Sequence, residues 1–309
     1  MKRIIVIVAA ALAAFVAGAQ DIKQATDLYN NAATALNTDD KVTAIAYFKQ
    51  AYDMAKALGK EGEEIVANCQ MYIPSLVLSV AKDDIKAGEY DKAVSQLQEA
   101  IKVAEEYKAE DVGIEAKDLI PQVYMQKGGT LLNNKNYSDA AAAYKRVLEI
   151  NPANGMAALR LGMALTGAND IEGAIAAYQT AAANGQEKTA NKQISTIFLK
   201  KAAAALKAKK LDEAITAAIS SNEYMENAQA YQIAGQASQS LKKNEDAIKY
   251  FEKYLEMKPD AKNAGQIAFT VGALYQSAGN KAKAVEFYQK ATTDPQFGAE
   301  AARLAASLK

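Results

Sequence analysis

The sequence has no histidine and no tryptophan, and Cys69 is the single cysteine among its 309 residues. Histidine is the commonest general acid/base and the commonest metal ligand near neutral pH. Without it, no Ser–His or Cys–His nucleophile pair and no Cys/His zinc site can be assembled. One thiol forms no internal disulfide, and two readings of Cys69 stand, a buried structural thiol or a reactive one. A surplus of charge is missing as well. Lys plus Arg number 36 and Asp plus Glu number 36, whereas a nucleic-acid partner asks for a basic excess. The acid/base groups that remain are carboxylates, and no Asp/Glu pair stands apart from solvated helix surface. The chain therefore reads as a non-enzyme with no cofactor, no metal and no nucleic-acid partner.

Long apolar runs are also scarce. The longest, Ile4 to Val16, is well short of the roughly 20 residues a membrane-spanning helix needs. It follows Lys2 and Arg3 and precedes Ala17-Gly18-Ala19, the order of a cleavable signal peptide. The expectation is cleavage after Ala19, a periplasmic or secreted mature chain, and no stable membrane span afterwards.

What is present is helix-forming. Ala, Leu, Lys, Glu and Gln dominate, while proline and glycine number 5 and 17. Apolar residues recur at three and four, as in Ile248, Phe251, Tyr254 and Leu255. Turn-like clusters interrupt them, among them Asn133–Asn136, Gly167–Asp170, Lys242–Asp246 and Gly279–Lys281. The pattern predicts an all-α chain of helical hairpins.

The hairpins repeat. A small residue on a first helix is followed twelve positions later by alanine. The pairs are Ala32 with Ala44, Ala81 with Ala93, Gly128 with Ala140, Gly162 with Ala174, Ala202 with Ala214, Gly235 with Ala247 and Gly272 with Ala284. Four residues beyond that alanine lies Phe48, Leu97, Tyr144, Tyr178, Ala218, Phe251 or Tyr288. Antiparallel helices approach closely where facing side chains are small. The expected contact is therefore small residue to alanine, with the bulky residue filling the space beside it.

These motifs, together with Asn136-Tyr137-Ser138-Asp139-Ala140 and the closing Pro152 and Pro259, resemble the tetratricopeptide repeat family. The family's early tryptophan is absent, and the second-helix alanines are spaced unevenly. The resemblance implies a right-handed α-solenoid (superhelix) of about seven hairpins with a C-terminal capping helix. The expected organisation is a signal peptide (1–19), long N-terminal hairpins (20–120), a C-terminal array (121–298) and a cap (299–309). Pro74 and Pro121 either open a first helix or kink a longer one.

In this family first helices line a concave groove that binds a peptide or protein partner. By register, the resemblance places Gln229, Gln232, Gln236 and Gln239 in that groove, and Gln266, Phe269 and Gln276 in the next repeat. Spacings of three, four and three put the first four on one helix face. Amides both donate and accept, so this face suits a partner's main chain; an ordinary solvated surface is the other reading. Some family members grip a C-terminal carboxylate with Lys and Asn. The corresponding places here carry Tyr29 and Ala33, Leu78 and Lys82, and Met125 and Gly129, so that clamp is absent. A second functional class, a glycan or small-molecule carrier, rests on Tyr29, Tyr72, Tyr124, Phe198, Tyr231 and Phe269 converging inward.

Overall fold

The computed structural model describes residues 18–308. The basic start and apolar run expected of a signal peptide lie outside the described residues, and the expected cleavage point falls in the first turn of the first helix. Among the described residues there is no strand. The helices are α1 (Gly18–Asn37), α2 (Lys41–Ala57), α3 (Glu63–Ala87), α4 (Tyr90–Glu106), α5 (Glu110–Asn133), α6 (Tyr137–Ile150), α7 (Gly155–Gly167) and α8 (Ile171–Ala181). They continue with α9 (Glu187–Lys207), α10 (Leu211–Tyr224), α11 (Ala228–Ser240), α12 (Asn244–Met257), α13 (Ala264–Ser277), α14 (Lys281–Ala291) and α15 (Gly298–Ser307). Successive pairs form seven hairpins, an all-α helical-repeat architecture.

The chain forms two compact units, Met1–Arg160 and Leu161–Lys309. The division expected at 120/121 falls inside α5, which runs on through Pro121, and α3 likewise runs through Pro74. Both prolines thus sit within helices rather than opening them. α3 is apolar and long enough to cross a membrane by composition. Here its apolar residues Ile65, Cys69, Ile73, Val77, Leu78 and Ala81 belong to the core of unit one.

All seven hairpins turn in the same way, a regularity that the residue types conceal. Five residues before each second-helix alanine lies a left-handed residue: Asp39, Gly88, Lys135, Asn169, Lys209, Lys242 or Gly279, with φ between 58° and 79°. The next residue donates its N–H to a carbonyl five positions back, as Asn136 does to Leu131 (2.8 Å) and Lys243 to Ser238 (2.9 Å). That bond closes the end of the first helix. The same residue's carbonyl accepts from the alanine N–H, as Asp170 does from Ala174 and Asn280 from Ala284 (both 3.0 Å), and so begins the second helix. One residue both ends one helix and starts the next, which fixes the hairpin geometry. Only two of the seven left-handed positions use glycine.

Every residue of the twelve-apart pairs is buried. The contact partner differs from the sequence expectation. A Cβ built on Gly128, Gly162, Gly235 or Gly272 would lie 2.7, 2.6, 2.6 or 2.8 Å from the ring of Tyr144, Tyr178, Phe251 or Tyr288. The expected glycine-to-alanine contacts, onto Ala140, Ala174, Ala247 and Ala284, are therefore corrected. Each glycine faces the aromatic ring sixteen residues on, and the alanine is buried one turn before that ring. A ring this close to a helix backbone leaves no room for any side chain, so glycine is required by packing rather than by backbone freedom. Pro152 and Pro259 are exposed just beyond the ends of α6 and α12, where no further helical hydrogen bond is needed. α15 closes unit two by burying Ala301 and Ala305 in the cluster that holds Ala284, Phe287, Tyr288 and Ala291.

Candidate functional site

The candidate surface starts from α11, a helix without a single charged residue. Its start is set by Asn227, whose side-chain carbonyl accepts from the N–H of Gln229 at 2.8 Å. Asn227 is itself held by Asn222, whose side chain accepts from the Asn227 N–H at 2.8 Å. Ala230, Ile233, Ala234, Ala237 and Ser238 are buried and fix which side of α11 faces the core. The remaining face carries Gln229, Gln236 and Gln239, all exposed, and half-buried Gln232. The structure therefore brings these four glutamines onto one stripe of unit two.

α13 behaves differently. Gln266 is exposed in its first turn. Phe269 is packed between two other rings, with centroids 5.5 Å from Tyr288 and 5.1 Å from Phe297. Its aromatic surface is engaged in joining α13, α14 and the segment before α15, which leaves little for a partner. Gln276 is also engaged: its side-chain carbonyl accepts from the Tyr288 hydroxyl at 2.7 Å. Of the α13 residues singled out by register, Gln266 alone carries a side chain free of such contacts in its unit.

The aromatic residues that would serve a glycan carrier do not converge either. Tyr29 is buried edge-on against Phe48, Tyr72 stacks on Phe48, and Phe198 stacks on Tyr224. The Tyr231 hydroxyl donates to Glu226 at 3.0 Å. A hollow of about 780 Å³ in unit two lies among Glu252, Leu255, Lys262, Lys283, Phe287 and Lys290. Part of its charge is matched internally. Lys290 and Lys283 hold the carboxyl of Glu286 below the usual carboxylate range, and Tyr275 donates to Glu252 at 2.8 Å.

Cys69 is buried in the unit-one core, and burial pushes its thiol up to about 12. Of the two readings open from sequence, the structural thiol is the one this environment fits. Sequence reasoning passed over Arg160. Its signal was present, one charge in the otherwise uncharged segment from Gly155 to Gly167.

A tetratricopeptide-repeat family model matches residues 126–188, and a second matches residues 228–261 and 266–293. No curated protein matches the sequence. Among solved structures, the MamA protein is 21% identical, over 59% of this chain and 96% of that one, with a TM-score of 0.35. PilF of Pseudomonas aeruginosa is 20% identical over 62% of this chain and 84% of that one, with a TM-score of 0.32. YrrB, described as a TPR protein with an unusual peptide-binding site, is 18% identical over 63% of this chain and 95% of that one, with a TM-score of 0.33. Tetratricopeptide repeats generally mediate protein–protein interaction, and the scaffold is generally non-enzymatic.

Proposed function

From tetratricopeptide repeats at residues 126–188, 228–261 and 266–293, we propose that this chain is a non-enzymatic interaction scaffold that binds a protein partner in the cell envelope. The observation that carries the reading is the α11 stripe. Gln229, Gln232, Gln236 and Gln239 share one face of an uncharged helix, and none of their amide side chains is hydrogen-bonded within unit two. Each unengaged amide offers two donors and an acceptor, the complement of a peptide main chain. An extended partner segment laid along α11 is held by its backbone, so recognition there tolerates many sequences. Gln266 of α13 adds a further amide of the same chemistry.

The cellular address is part of the proposal. Lys2 and Arg3, the apolar run and Ala17-Gly18-Ala19 support export through cleavage after Ala19 to the periplasm or beyond. Cell fractionation followed by N-terminal sequencing of the exported form tests this; a mature chain beginning at Gln20 is expected, and an intact N-terminus in the cytoplasm contradicts it.

The binding surface is tested by titrating the mature chain against envelope extract, comparing the parent with the double variant Gln232→Glu/Gln236→Glu. Two carboxylates retain acceptors but remove four N–H donors and add repulsion toward backbone carbonyls. Capture at least tenfold weaker is expected; equal capture by a variant of parental stability sinks the α11 surface.

A further inference from the structure

The hollow of about 780 Å³ in unit two is a groove between two second helices, α12 and α14, floored by the start of α13 and the turn before it. Elsewhere, neighbouring second helices are tied together by polar side chains. Lys49 of α2 reaches Glu99 of α4 at 4.0 Å, and Gln179 of α8 donates to Tyr224 of α10 at 2.9 Å. Asp212 of α10 pairs at 2.8 Å with Lys243, the residue before α12. Among the described residues, no such hydrogen bond or ion pair joins α12 to α14; their polar side chains pair within their own helices or with α13.

The groove stays open because its floor is small. Ala264 and Ala268 are buried, and Ala261 and Gly265 are half-buried. At Gly265 packing allows nothing larger, since a Cβ there would lie 2.6 Å from Cβ and Oδ2 of Asp294. Half-buried Leu255 of α12 and buried Phe287 of α14 make the sides apolar. An apolar floor between two helices is a seat for a third, whose ridge of side chains enters the groove.

The charges on the rim are unevenly spent. Lys283 and Lys290 both pair with Glu286, at 2.9 and 2.8 Å, and both lie over the Phe287 ring, 5.9 and 4.2 Å from its centroid. The α14 side is therefore largely satisfied. On the other side Glu252, Glu256 and Asp260 recur at intervals of four along α12 and the turn that follows it. Glu256 pairs with Lys253 at 2.7 Å, whereas Glu252 receives only the neutral Tyr275 hydroxyl at 2.8 Å. Asp294 accepts from the backbone N–H groups of Gln296 and Phe297, at 2.9 and 3.0 Å. Glu252, Asp260 and Asp294 thus line the groove without a cationic partner among the described residues, against one lining cation without a carboxylate, Lys262. The last carbonyls of α12 add negative potential at the same place.

We propose that this groove docks an amphipathic helix of a protein partner, with apolar residues on the floor and lysine or arginine on the flank that faces α12. Carboxylates at intervals of four match cations at the same interval on a helix laid alongside. The surface belongs to second helices and uses none of the α11 glutamines. From the reading of the chain as an interaction scaffold the proposal takes only that the ligand is a protein.

Calorimetry with three capped synthetic peptides tests it. One is a leucine–lysine peptide patterned as an amphipathic helix, the second carries glutamate for every lysine, and the third is a scrambled leucine–lysine peptide of the same composition. The parent is compared with Glu252→Gln/Asp260→Asn, with Ala261→Phe and with Gln232→Glu/Gln236→Glu. The first variant removes charge and keeps an acceptor for Tyr275; the second fills the groove from a half-buried position. The parent should bind the patterned lysine peptide at least about tenfold tighter than either other peptide, and added salt should weaken that binding. Both groove variants should lose the preference, and the α11 variant should keep it. Equal affinity for the glutamate or scrambled peptide, binding unchanged in either groove variant, or loss confined to the α11 variant overturns the proposal. Unimpaired envelope capture by the α11 variant counts against the α11 surface alone, because the groove is read on the synthetic peptide.

Discussion

Gly235 faces the ring of Phe251 so closely that a single added methyl would lie 2.6 Å from two of its carbons. The same pairing recurs as Gly128–Tyr144, Gly162–Tyr178 and Gly272–Tyr288. It sets how near the two helices of a hairpin stand. Gly235→Ala should therefore destabilise despite alanine's better helix propensity, because overpacking of about 1–3 kcal/mol outweighs a propensity gain of about 1 kcal/mol. Gly129→Ala, with its nearest neighbours at 3.9 and 4.0 Å, should stabilise by about 0.5–1 kcal/mol. Urea denaturation of the pair reads both signs directly; two changes of the same sign contradict the packing account.

Ala174, Ala247 and Ala284 are fully buried one turn before their rings. Leucine at Ala174 or Ala247 has nowhere to go without parting the helices, and should cost about 1–3 kcal/mol. Melting profiles like the parent's for both variants would show the hairpin register to be mistaken.

The left-handed hairpin residues give a prediction of the opposite sign. Lys135, Lys209 and Lys242 hold φ values of 61°, 60° and 58°, a conformation that costs an L-residue about 1–2 kcal/mol. Glycine avoids that strain but loses about 0.5–1 kcal/mol more chain entropy on folding. Lys242→Gly should thus gain up to about 1 kcal/mol, seen as a raised urea midpoint at unchanged slope. Gly279→Ala, placed in the same conformation, should lower it.

Alkali should loosen the core of unit one. Burial pushes Cys69 up to about 12 from 9.0, and Tyr29 and Tyr107 up to about 12 from 10.0. Groups whose acid form is favoured by folding contribute stability that is present below the unfolded values and is lost as pH rises toward the folded ones. Stability should fall between about pH 9 and pH 12. In the same vein, iodoacetamide at pH 8 should modify Cys69 on the order of a thousandfold faster in urea than in the native protein. A midpoint flat across the alkaline window, or rapid native alkylation, would contradict this burial.

Much of the architecture is legible from the residues. Short-period apolar spacing locates the helices, and the twelve-residue recurrence of small residues locates the hairpins, because both are local consequences of helix geometry. The identity of the glycine's partner was less accessible. Gly162 precedes both Ala174 and Tyr178, as Gly272 precedes both Ala284 and Tyr288, and only the angle between the helices decides that the ring takes the space. The turn geometry was hidden for another reason: left-handed φ falls on Asp39, Lys135 and Asn169 as readily as on Gly88, since hydrogen bonds and not residue type impose it. At the candidate site, spacing on α11 placed four glutamines on one face, whereas the packing of Phe269 against Tyr288 and Phe297 involves a segment beyond its own hairpin.

The central functional claim concerns the exposed amide face of α11, and photocrosslinking in the native cell tests it most directly. A benzoylphenylalanine placed at Gln236 should give a discrete partner adduct, with one at Gln239 giving the same band. The same probe at Thr216 on α10 or Lys249 on α12, both exposed on second helices, should give none. Adducts at Thr216 and Lys249 with none at Gln236 would contradict the account.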